Sequence, residues 1–505
     1  MREVRGAVRV LTMNTLAFTV SFAVWMMNGV LVTYLVDNRV YVFDKAQMGW
    51  LMGLPVLTGS ILRLPAGVLT DRYGGRPVFA ALMLISAASC WLVSYADTFA
   101  EFALGSLGFG VCGATFAVGI AYTSVWFPSR LQGTALGIFG VGNAGAAVTS
   151  LAAPHLLRYL TQGGTFLDGW RYLPRLYGLA LVVMTIAFWL LTTNRRVDHA
   201  AGHSLGQRLE PLRHARVWRF GLYYFLVFGA FVALAQWLIP YYVNVYATSV
   251  ATAGLLASIF SLPSGVIRAL GGVLSDKLGA RRVMYWVLGG CIATAALLIV
   301  PRMEIYAAGE GVMAAAGGVV SRVTGDEIVV GERAYALAPQ PGTVDFDAEP
   351  LVWPTTASWQ EPIVKPGDAV QKKQLLARGR THIYFQANMW VFTFLVFVMG
   401  ILMGIGKAAV YKYIPDYFPQ QVGVVGGIVG VLGGLGGFVA PILFGYMLRG
   451  TGLWTSCWMF LALLSVGCLV WLHRTVRRLT IERAPQIAYH IDHEFITVPA
   501  GEVVS

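Results

Sequence analysis

The chain has 505 residues, of which 57% are hydrophobic and only 12% are charged, and its formal net charge is +12. Soluble domains carry roughly 25% charged residues, so this composition excludes an ordinary water-soluble protein. About twelve continuous apolar runs of about twenty residues follow one another; each can cross a bilayer as a helix, whereas a closed β-barrel would need short alternating strands.

The first apolar run, residues 8–36, is too long for the core of a signal peptide and lacks a small-residue cleavage site, so we expect it to be retained. Basic residues flank connections that fall on one face if the helices alternate. This face is expected to be cytoplasmic, with both termini inside and the helices in the cell inner membrane. The pattern explains the net charge without nucleic acid. The residues are Arg2, Arg5, Arg9, Arg72, Arg76, Arg130, Arg195, Arg196, Arg208, Arg213, Arg216, Lys277, Arg281, Arg282, Arg474, Arg477 and Arg478.

A stretch at the end of the second span, residues 62–76, has a second copy at the end of the eighth, residues 267–281. Arg, Gly, Val, Leu, Asp, Gly and Arg recur in register. Internal repeats of this kind are typical of transporters built from two bundles, which predicts six helices plus six. The polar loop residues are predicted to form a cytoplasmic gate that holds the outward-facing state: Asp71, Arg72, Arg76, Asp276, Lys277 and Arg281.

Two arginines of this repeat, Arg63 and Arg268, lie eight residues before Asp71 and Asp276. At about 1.5 Å per residue they are roughly 12 Å inside the membrane, where an arginine costs at least about 2.5 kcal/mol unless it faces water or a partner. No Asp or Glu lies in the middle of a span, so anion binding is favoured over a structural ion pair. Two planar guanidinium forks would clamp a small oxyanion, and phosphate, a carboxylate or nitrate fits this pattern.

Glycine is concentrated in the fifth and eleventh spans, at residues 133–145 and 423–438. Small residues on whole helix faces allow close packing and leave a narrow pore, although ordinary tight packing accounts for most of them. The glycines singled out are Gly137, Gly140, Gly142, Gly145, Gly430, Gly433, Gly434, Gly436 and Gly437.

Between the ninth and tenth spans the composition changes, from about Arg302 to Arg380. Alternating segments separated by glycine turns, such as residues 318–323 and 326–330, predict a small all-β module on the periplasmic side. Residues 361–370 resemble the biotinyl/lipoyl-like fold. The modifiable lysine is missing, so no cofactor is expected. The module would act as a rigid plug or as a dock for a periplasmic protein.

The loop at residues 67–76 and the six-plus-six organisation resemble the major facilitator superfamily. The two glycine-rich helices, with Pro154 and Pro441 after them, together with both arginines, resemble the nitrate/nitrite porter family. The resemblance implies an all-α polytopic membrane protein with the twelve-helix major-facilitator fold. It also implies that nitrate or nitrite is the substrate.

In that family two arginines coordinate the anion, and the resemblance implies this role for Arg63 and Arg268. The resemblance also implies roles near the anion for Asn143 as a side-chain donor, for Tyr224 and for Phe116, the aromatic ring of the fourth span.

Aligning the two halves puts Lys407 where the second aromatic ring is expected, nine residues before Asp416. The lysine is either a third positive group on the anion path or a coupling group that exchanges protons. A structural lysine bound to backbone carbonyls is the third alternative. With Lys412 it resembles the branch associated with proton-coupled nitrate import.

The chain has no Gly-x-x-x-x-Gly-Lys-Ser/Thr motif, which predicts secondary transport. Lys407 favours nitrate/proton symport, and the lack of a mid-membrane carboxylate favours nitrate/nitrite exchange. Transport of another small anion, and a membrane scaffold or receptor that uses the inserted module, remain alternatives. The eight histidines show no metal or acid/base spacing, so an enzyme and a metal site are not expected. The expected partners are the anion, protons and lipid, and the expected functional unit is a monomer.

The predicted organisation has six segments. They are a first six-helix bundle (1–194), a basic cytoplasmic linker (195–215), the first part of the second bundle (216–301), the inserted module (302–384), the second part of that bundle (385–478) and a cytoplasmic tail (479–505).

Overall fold

The computed structural model describes residues 2–195, 210–300, 303–340, 355–385, 388–418 and 422–483. Six helices form the first half of the chain. They are α1 (Arg2–Trp25 and Met27–Asp37), α2 (Lys45–Ile61 and Arg63–Tyr73), α3 (Gly75–Val93), α4 (Phe99–Gly110 and Thr115–Ser124, joined by the 3-10 turn Val111–Ala114), α5 (Ser129–Gly140 and Gly145–Leu160, joined by the 3-10 turn Val141–Ala144) and α6 (Tyr172–Leu191).

Six further helices form the second half. They are α7 (Ala215–Tyr224 and Phe231–Tyr246, joined by the π-helical turn Phe225–Ala230), α8 (Val250–Val266 and Arg268–Leu278), α9 (Ala280–Leu298), α10 (Met389–Tyr417), α11 (Val422–Thr451) and α12 (Ser456–Arg483). The two pieces of α8 meet at 44°.

Within the described residues, ten helices are long and apolar enough to cross a membrane, and eleven if the bent α8 counts as one. Helix α9 falls short because Arg281 and Arg282 in its first turn lower its mean hydropathy. The predicted polytopic helical architecture is confirmed.

The internal repeat is visible in the backbone. Helices α2 and α8 each end at a glycine with a positive φ, 86° at Gly74 and 83° at Gly279. Such a φ is accessible to glycine at little cost, which explains why both repeats carry it. Each helix also begins at a polar cap: the Asp44 carboxylate accepts the backbone N–H of Gln47, and Ser249 caps α8.

Backbone approaches between α2 and α11 join the two halves. A Cβ on Gly49 would lie 2.3 Å from the carbonyl oxygen of Pro441, and one on Gly53 would lie 2.7 Å from that of Phe438. Only glycine allows helices to pack this closely. The α2–α11 contact is therefore specified by sequence.

A separate compact unit spans Leu298–Leu395, and its described residues contain seven strands. The strands are β1 (Met303–Met313), β2 (Gly318–Val323), β3 (Glu327–Val330), β4 (Arg333–Ala336), β5 (Thr355–Pro362), β6 (Ala369–Val370) and β7 (Leu375–Phe385). They form two antiparallel sheets, ordered β1-β7-β5 and β4-β3-β2-β6. Val320, Ile328, Val330 and Leu376 are among the residues of its apolar core. The predicted all-β module is confirmed, and its lipoyl-like character stays a prediction.

Candidate functional site

Arg63 opens the second piece of α2, directly after the break at Leu62. Its side chain is buried, and Nη1 donates a hydrogen bond of 2.6 Å to the carbonyl oxygen of Gly430 in α11. In the described part of the chain Nε and Nη2 have no hydrogen-bond partner. The guanidinium thus keeps donors for a ligand, since a neutral carbonyl leaves its charge uncompensated.

Three aromatic rings surround the Arg63 guanidinium. Its Cζ lies 5.2 Å from the ring centres of Phe116 and Phe228 and 5.8 Å from that of Trp25. The Phe116 and Phe228 rings also stack, 6.3 Å apart at 21°. Ring faces stabilise a cation and exclude water, so a bound anion would be largely desolvated.

Arg268 reaches the same place from the other half of the chain. It begins the second piece of α8, after the bend, and its side chain is half-buried. Its Cζ lies 5.7 Å from the ring centre of Phe116 and 5.6 Å from that of Tyr411. Arg63 and Arg268 thus share one ring, that of Phe116. Among the described residues, none of the ion pairs involves either arginine.

Tyr224 lies beside this pair because the π-helical turn follows it directly in α7. Its ring stacks on Phe228, 4.9 Å apart at 5°, and meets the Tyr411 ring edge-on at 5.0 Å. Short π-helical segments are frequent at functional sites. Tyr224, Phe228 and Tyr411 form an aromatic wall next to both arginines.

Asn143 is fully buried in the 3-10 turn of α5. Its amide Nδ2 donates 2.8 Å to the carbonyl oxygen of Gly140, and Oδ1 has no partner within the described residues. A Cβ on Gly140 would lie 3.7 Å from Arg268. The side chain is thus held one turn from the residue that borders Arg268.

Lys407 is completely buried in α10. Its Nζ donates 3.1 Å to the hydroxyl of Ser264 and lies 3.0 Å from the ring centre of Phe231, and its charge interacts with that of Arg268. Tyr411, one turn later, supplies the ring that faces Arg268. The structure thus places Lys407 against α7 and α8, in the electrostatic neighbourhood of Arg268.

The glycines of α11 divide into two groups. Gly433, Gly436 and Gly437 pack against α7: a Cβ on Gly433 would lie 2.1 Å from the Tyr224 ring. A Cβ on Gly430 would lie 3.8 Å from Nη1 of Arg63, and one on Gly434 would lie 3.2 Å from it and 2.2 Å from the Ser60 hydroxyl oxygen. The positions of Gly430 and Gly434 are consistent with a role in leaving room for the Arg63 side chain. The positions of Gly433, Gly436 and Gly437 are explained by tight packing against α7.

The glycines of α5 behave similarly. Gly142 and Gly145 pack against α1, where a Cβ would lie 2.4 Å from Phe18 and 2.2 Å from the carbonyl oxygen of Thr19. Among the described residues, a Cβ on Gly137 would meet nothing within 4 Å. Gly137 therefore has open space at its Cβ position, unlike the other three.

The predicted gate residues lie at the loops that end α2 and α8, which we call the basic side. Arg76 donates to the carbonyl oxygen of Trp189 and packs on its ring at 4.2 Å. Asp276 pairs with Lys412 at 2.9 Å. Each contact stays within its own half. Arg72 and Lys277 are exposed, as is Arg281, and Asp71 is half-buried.

Besides the contacts at the central site, the halves meet at the other end of the helices, which we call the opposite side. Asp44 pairs with Arg449 at 3.4 Å, and Lys45 Nζ donates 3.1 Å to Asn244 Oδ1. Lys45 also packs over the ring of Trp454 at 5.0 Å. Together with the α2–α11 glycines, these contacts close the opposite side in this conformation.

Sequence reasoning missed four contributors: Trp25, Phe228, Tyr411 and the Gly430 carbonyl. Tyr411 lies within the Lys407–Lys412 stretch that the sequence singled out, one helical turn after Lys407. Spacing of one turn was the signal that could have found it.

Comparisons with known proteins identify the family to which this chain belongs. The family described as Major Facilitator Superfamily matches residues 14–324 and 377–490. The chain is 38% identical to the "Probable nitrate/nitrite antiporter NarK1" of Thermus thermophilus, over 98% of this chain and 96% of that one. It is 24% identical to the "Nitrite extrusion protein" of Bacillus subtilis (strain 168), over 92% and 94%. A solved bacterial homolog of the human lysosomal transporter Spinster, inward-facing and occupied, has a TM-score of 0.58 at 14% identity and covers 93% of this chain and 96% of that one.

Proposed function

The chain belongs to the nitrate/nitrite porter family of the major facilitator superfamily, and we propose that it carries nitrate or nitrite by alternating access, the anion held between Arg63 and Arg268. The observation that supports this most is that both guanidinium groups, one from each half, lie on the single ring of Phe116. A ligand that bridges them would couple its own binding to the relative position of the two halves.

A small, planar, singly charged oxyanion fits this environment best. Guanidinium presents its donors in a plane, which suits two-point contact with a planar oxyanion. The neighbouring groups are the rings of Phe116, Phe228 and Tyr411, which offer little compensation for a strongly hydrated, multiply charged anion. Nitrate and nitrite are weakly hydrated monoanions and lose less on entering such a site.

Transport then requires a second conformation in which the opposite side opens. The Asp44–Arg449 pair and the α2–α11 glycine contacts would separate, and the loops at Asp71 and Asp276 would meet as the gate of the outward-facing state. We place the basic side in the cytoplasm, with both termini inside and the helices in the inner membrane, because of the excess of Lys and Arg in those loops.

Proton symport is the coupling that we propose, with Lys407 as the group that exchanges the proton. Lys407 is completely buried and its charge is repelled by that of Arg268, and an anion between the arginines would offset that repulsion. Nitrate/nitrite exchange is the second candidate, favoured by the antiporter name of the relative at 38% identity.

Proteoliposomes containing the purified full chain test both whether the anion is transported and how its transport is coupled. Uptake of labelled nitrate or nitrite is measured under an imposed pH gradient, and separately with the other anion inside and no pH gradient. Symport predicts uptake in the first experiment. Exchange predicts uptake in the second. If the folded protein moves neither anion under either gradient, the transport proposal is wrong. The scaffold or receptor alternative would then be favoured.

A further inference from the structure

A second buried arginine lies outside the central site. Arg219 is four residues into α7, and 7% of its surface is exposed. Within the described residues its Nε has no hydrogen-bond partner and its guanidinium takes part in no ion pair. The nearest ring face is that of the adjacent Phe220, at 5.6 Å. At about 1.5 Å per residue the guanidinium is roughly 6 Å into the helix, near the headgroup level of the basic side.

Two tyrosine hydroxyls lie close to this arginine and are also unsatisfied. Tyr223 in α7 is fully buried and Tyr413 in α10 is 6% exposed, and neither hydroxyl has a partner in the described part of the chain. Both interact electrostatically with Arg219 and with Tyr285 of α9. The Tyr413 ring is fixed by stacking on Phe220, 5.1 Å apart at 7°. Three donors from two helices therefore lie in the same buried region of the second half of the chain.

This cluster is distinct from the central anion site. Tyr224 and Tyr411 face the two central arginines, and their neighbours Tyr223 and Tyr413 point elsewhere because residues one or two apart diverge around a helix. Tyr223 instead interacts with Cys468 of α12. The cluster thus lies within the second bundle.

The cluster has a polar edge that reaches the surface. The Tyr285 hydroxyl and Nδ1 of His473 are 3.2 Å apart, and His473 is exposed. Arg281, also exposed, interacts with both Tyr285 and Tyr413. An approaching group would therefore meet a second positive charge before it reached Arg219.

An arginine that is buried among protein groups, with no acidic partner in the described residues, is costly unless a counter-charge binds it. A guanidinium and two phenol hydroxyls are all hydrogen-bond donors, so the complementary ligand is an acceptor with several oxygens. Basic pockets between helices on the cytoplasmic side bind anionic lipid headgroups in other membrane proteins. We propose that Arg219, Tyr223 and Tyr413 form a second anion site that binds a phosphate-type oxyanion, from a lipid headgroup or from solution.

The test uses the purified full chain in detergent and three variants. Arg219→Gln removes the cation, Tyr413→Phe removes one hydroxyl and leaves the ring, and Arg216→Gln is the matched control because Arg216 is exposed one turn earlier on the same helix. Thermal unfolding is followed while phosphatidylglycerol, a neutral glycolipid or inorganic phosphate is titrated in.

The expected result is that phosphatidylglycerol or inorganic phosphate raises the melting temperature of the wild type and of Arg216→Gln. The half-saturating concentration should rise about tenfold or more in Arg219→Gln, the typical effect of losing a hydrogen bond to a charged group. If only the lipid acts, the ligand is a headgroup, and if free phosphate acts as well, the site accepts the oxyanion itself.

Two results would overturn the proposal. One is a stabilisation by phosphatidylglycerol and phosphate that is equal in wild type, Arg219→Gln and Tyr413→Phe. The other is a loss of stability in Arg219→Gln that is the same with every additive, which would mean that another group of this chain holds the arginine. If Arg219→Gln does not fold, the same comparison is made with Tyr413→Phe and Tyr223→Phe.

Discussion

Arg63 in the first half of the chain donates a hydrogen bond of 2.6 Å to the carbonyl oxygen of Gly430 in the second half. A side chain at position 430 would lie 3.2 Å from the Tyr411 hydroxyl and 3.8 Å from Arg63, so glycine keeps this approach open. The bond links the binding arginine to the glycine-rich helix α11. Movement of the halves would therefore alter the geometry of Arg63 directly.

Replacement of either arginine by lysine is the sharpest test of the anion site. Arg63→Lys and Arg268→Lys keep the positive charge and lose the planar fork. Each lost charge-assisted hydrogen bond costs about 1.5–3 kcal/mol, so we expect nitrate or nitrite uptake to fall by roughly tenfold to a hundredfold. Initial rates in proteoliposomes provide the measurement.

Arg216→Lys is the control for these two variants, because Arg216 is exposed on α7 and contacts only the Tyr417 ring among the described cation–ring contacts, at 5.4 Å. It should transport at the wild-type rate. Wild-type rates in both Arg63→Lys and Arg268→Lys would show that the anion is not clamped by these forks.

Lys407→Phe tests the coupling. The change removes a buried amine that is bound to Ser264 and packed on Phe231. If the amine exchanges the proton, the variant should lose uptake driven by a pH gradient and keep anion exchange. Lys412→Gln, on the same helix but paired with Asp276 at 2.9 Å, should keep the response to pH. An unchanged proton dependence in Lys407→Phe would exclude this lysine as the coupling group.

Two glycines of α11 allow the effect of helix packing on stability to be distinguished from the effect of helix propensity. A methyl group at Gly433 would lie 2.1 Å from the Tyr224 ring, whereas at Gly427 it would meet only Leu64 at 3.9 Å. Gly433→Ala should therefore lower stability by about 1–3 kcal/mol and displace Tyr224. Gly427→Ala should raise stability by about 0.5–1 kcal/mol, since alanine is the better helix former. The measurement is thermal unfolding of the two variants in one detergent. Equal stabilities would contradict the close contact between Gly433 and the Tyr224 ring.

Much of the fold could be predicted from sequence because its signals are local: long apolar runs and a repeated loop with its two glycines. The matching positions of Arg63 and Arg268 in the two repeats could also be counted from Asp71 and Asp276, whereas their depth in a membrane stays a prediction. The direction of Lys407 could not, because it depends on how α10 packs on α7 and α8. The π-helical turn that places Phe228 has no signature in composition. Packing between distant helices, which sequence patterns do not encode, determines which aromatic rings face the arginines.

A loop outside the helices should make stability depend on pH. The Arg171 guanidinium donates to Asp97 at 2.5 Å and the Tyr41 hydroxyl donates at 3.1 Å, and both hold the pKa of that carboxyl below its usual range. A carboxyl with a lowered pKa in the folded state stabilises the fold above its ordinary pKa of about 3.9, and this contribution is lost as the pH falls through the lowered value. Asp97→Asn should thus be less stable than wild type at neutral pH, with a difference that shrinks in acid.

The measurement is thermal unfolding in detergent between about pH 6 and about pH 3, the range that brackets the ordinary carboxyl pKa. Asp168→Asn is the matched control, because Asp168 pairs with the same Arg171 at the longer distance of 3.7 Å. It should show the smaller effect. A difference between wild type and Asp97→Asn that is constant across this range would contradict the assignment.

The closed opposite side can be opened by one added side chain. Leucine at Gly49 would project into the carbonyl oxygen of Pro441, which lies 2.3 Å from the Cβ position, so α2 and α11 could not meet. Gly467→Leu in α12 is the control, because Gly467 is exposed and among the described residues a Cβ there would meet nothing within 4 Å. We expect Gly49→Leu to abolish uptake, since alternating access needs both conformations, and Gly467→Leu to retain it. A cysteine at Lys45 should react faster with a membrane-impermeant maleimide in Gly49→Leu, against a low background because the five native cysteines are buried. Equal labelling rates in both variants would show that these glycines do not hold this side closed.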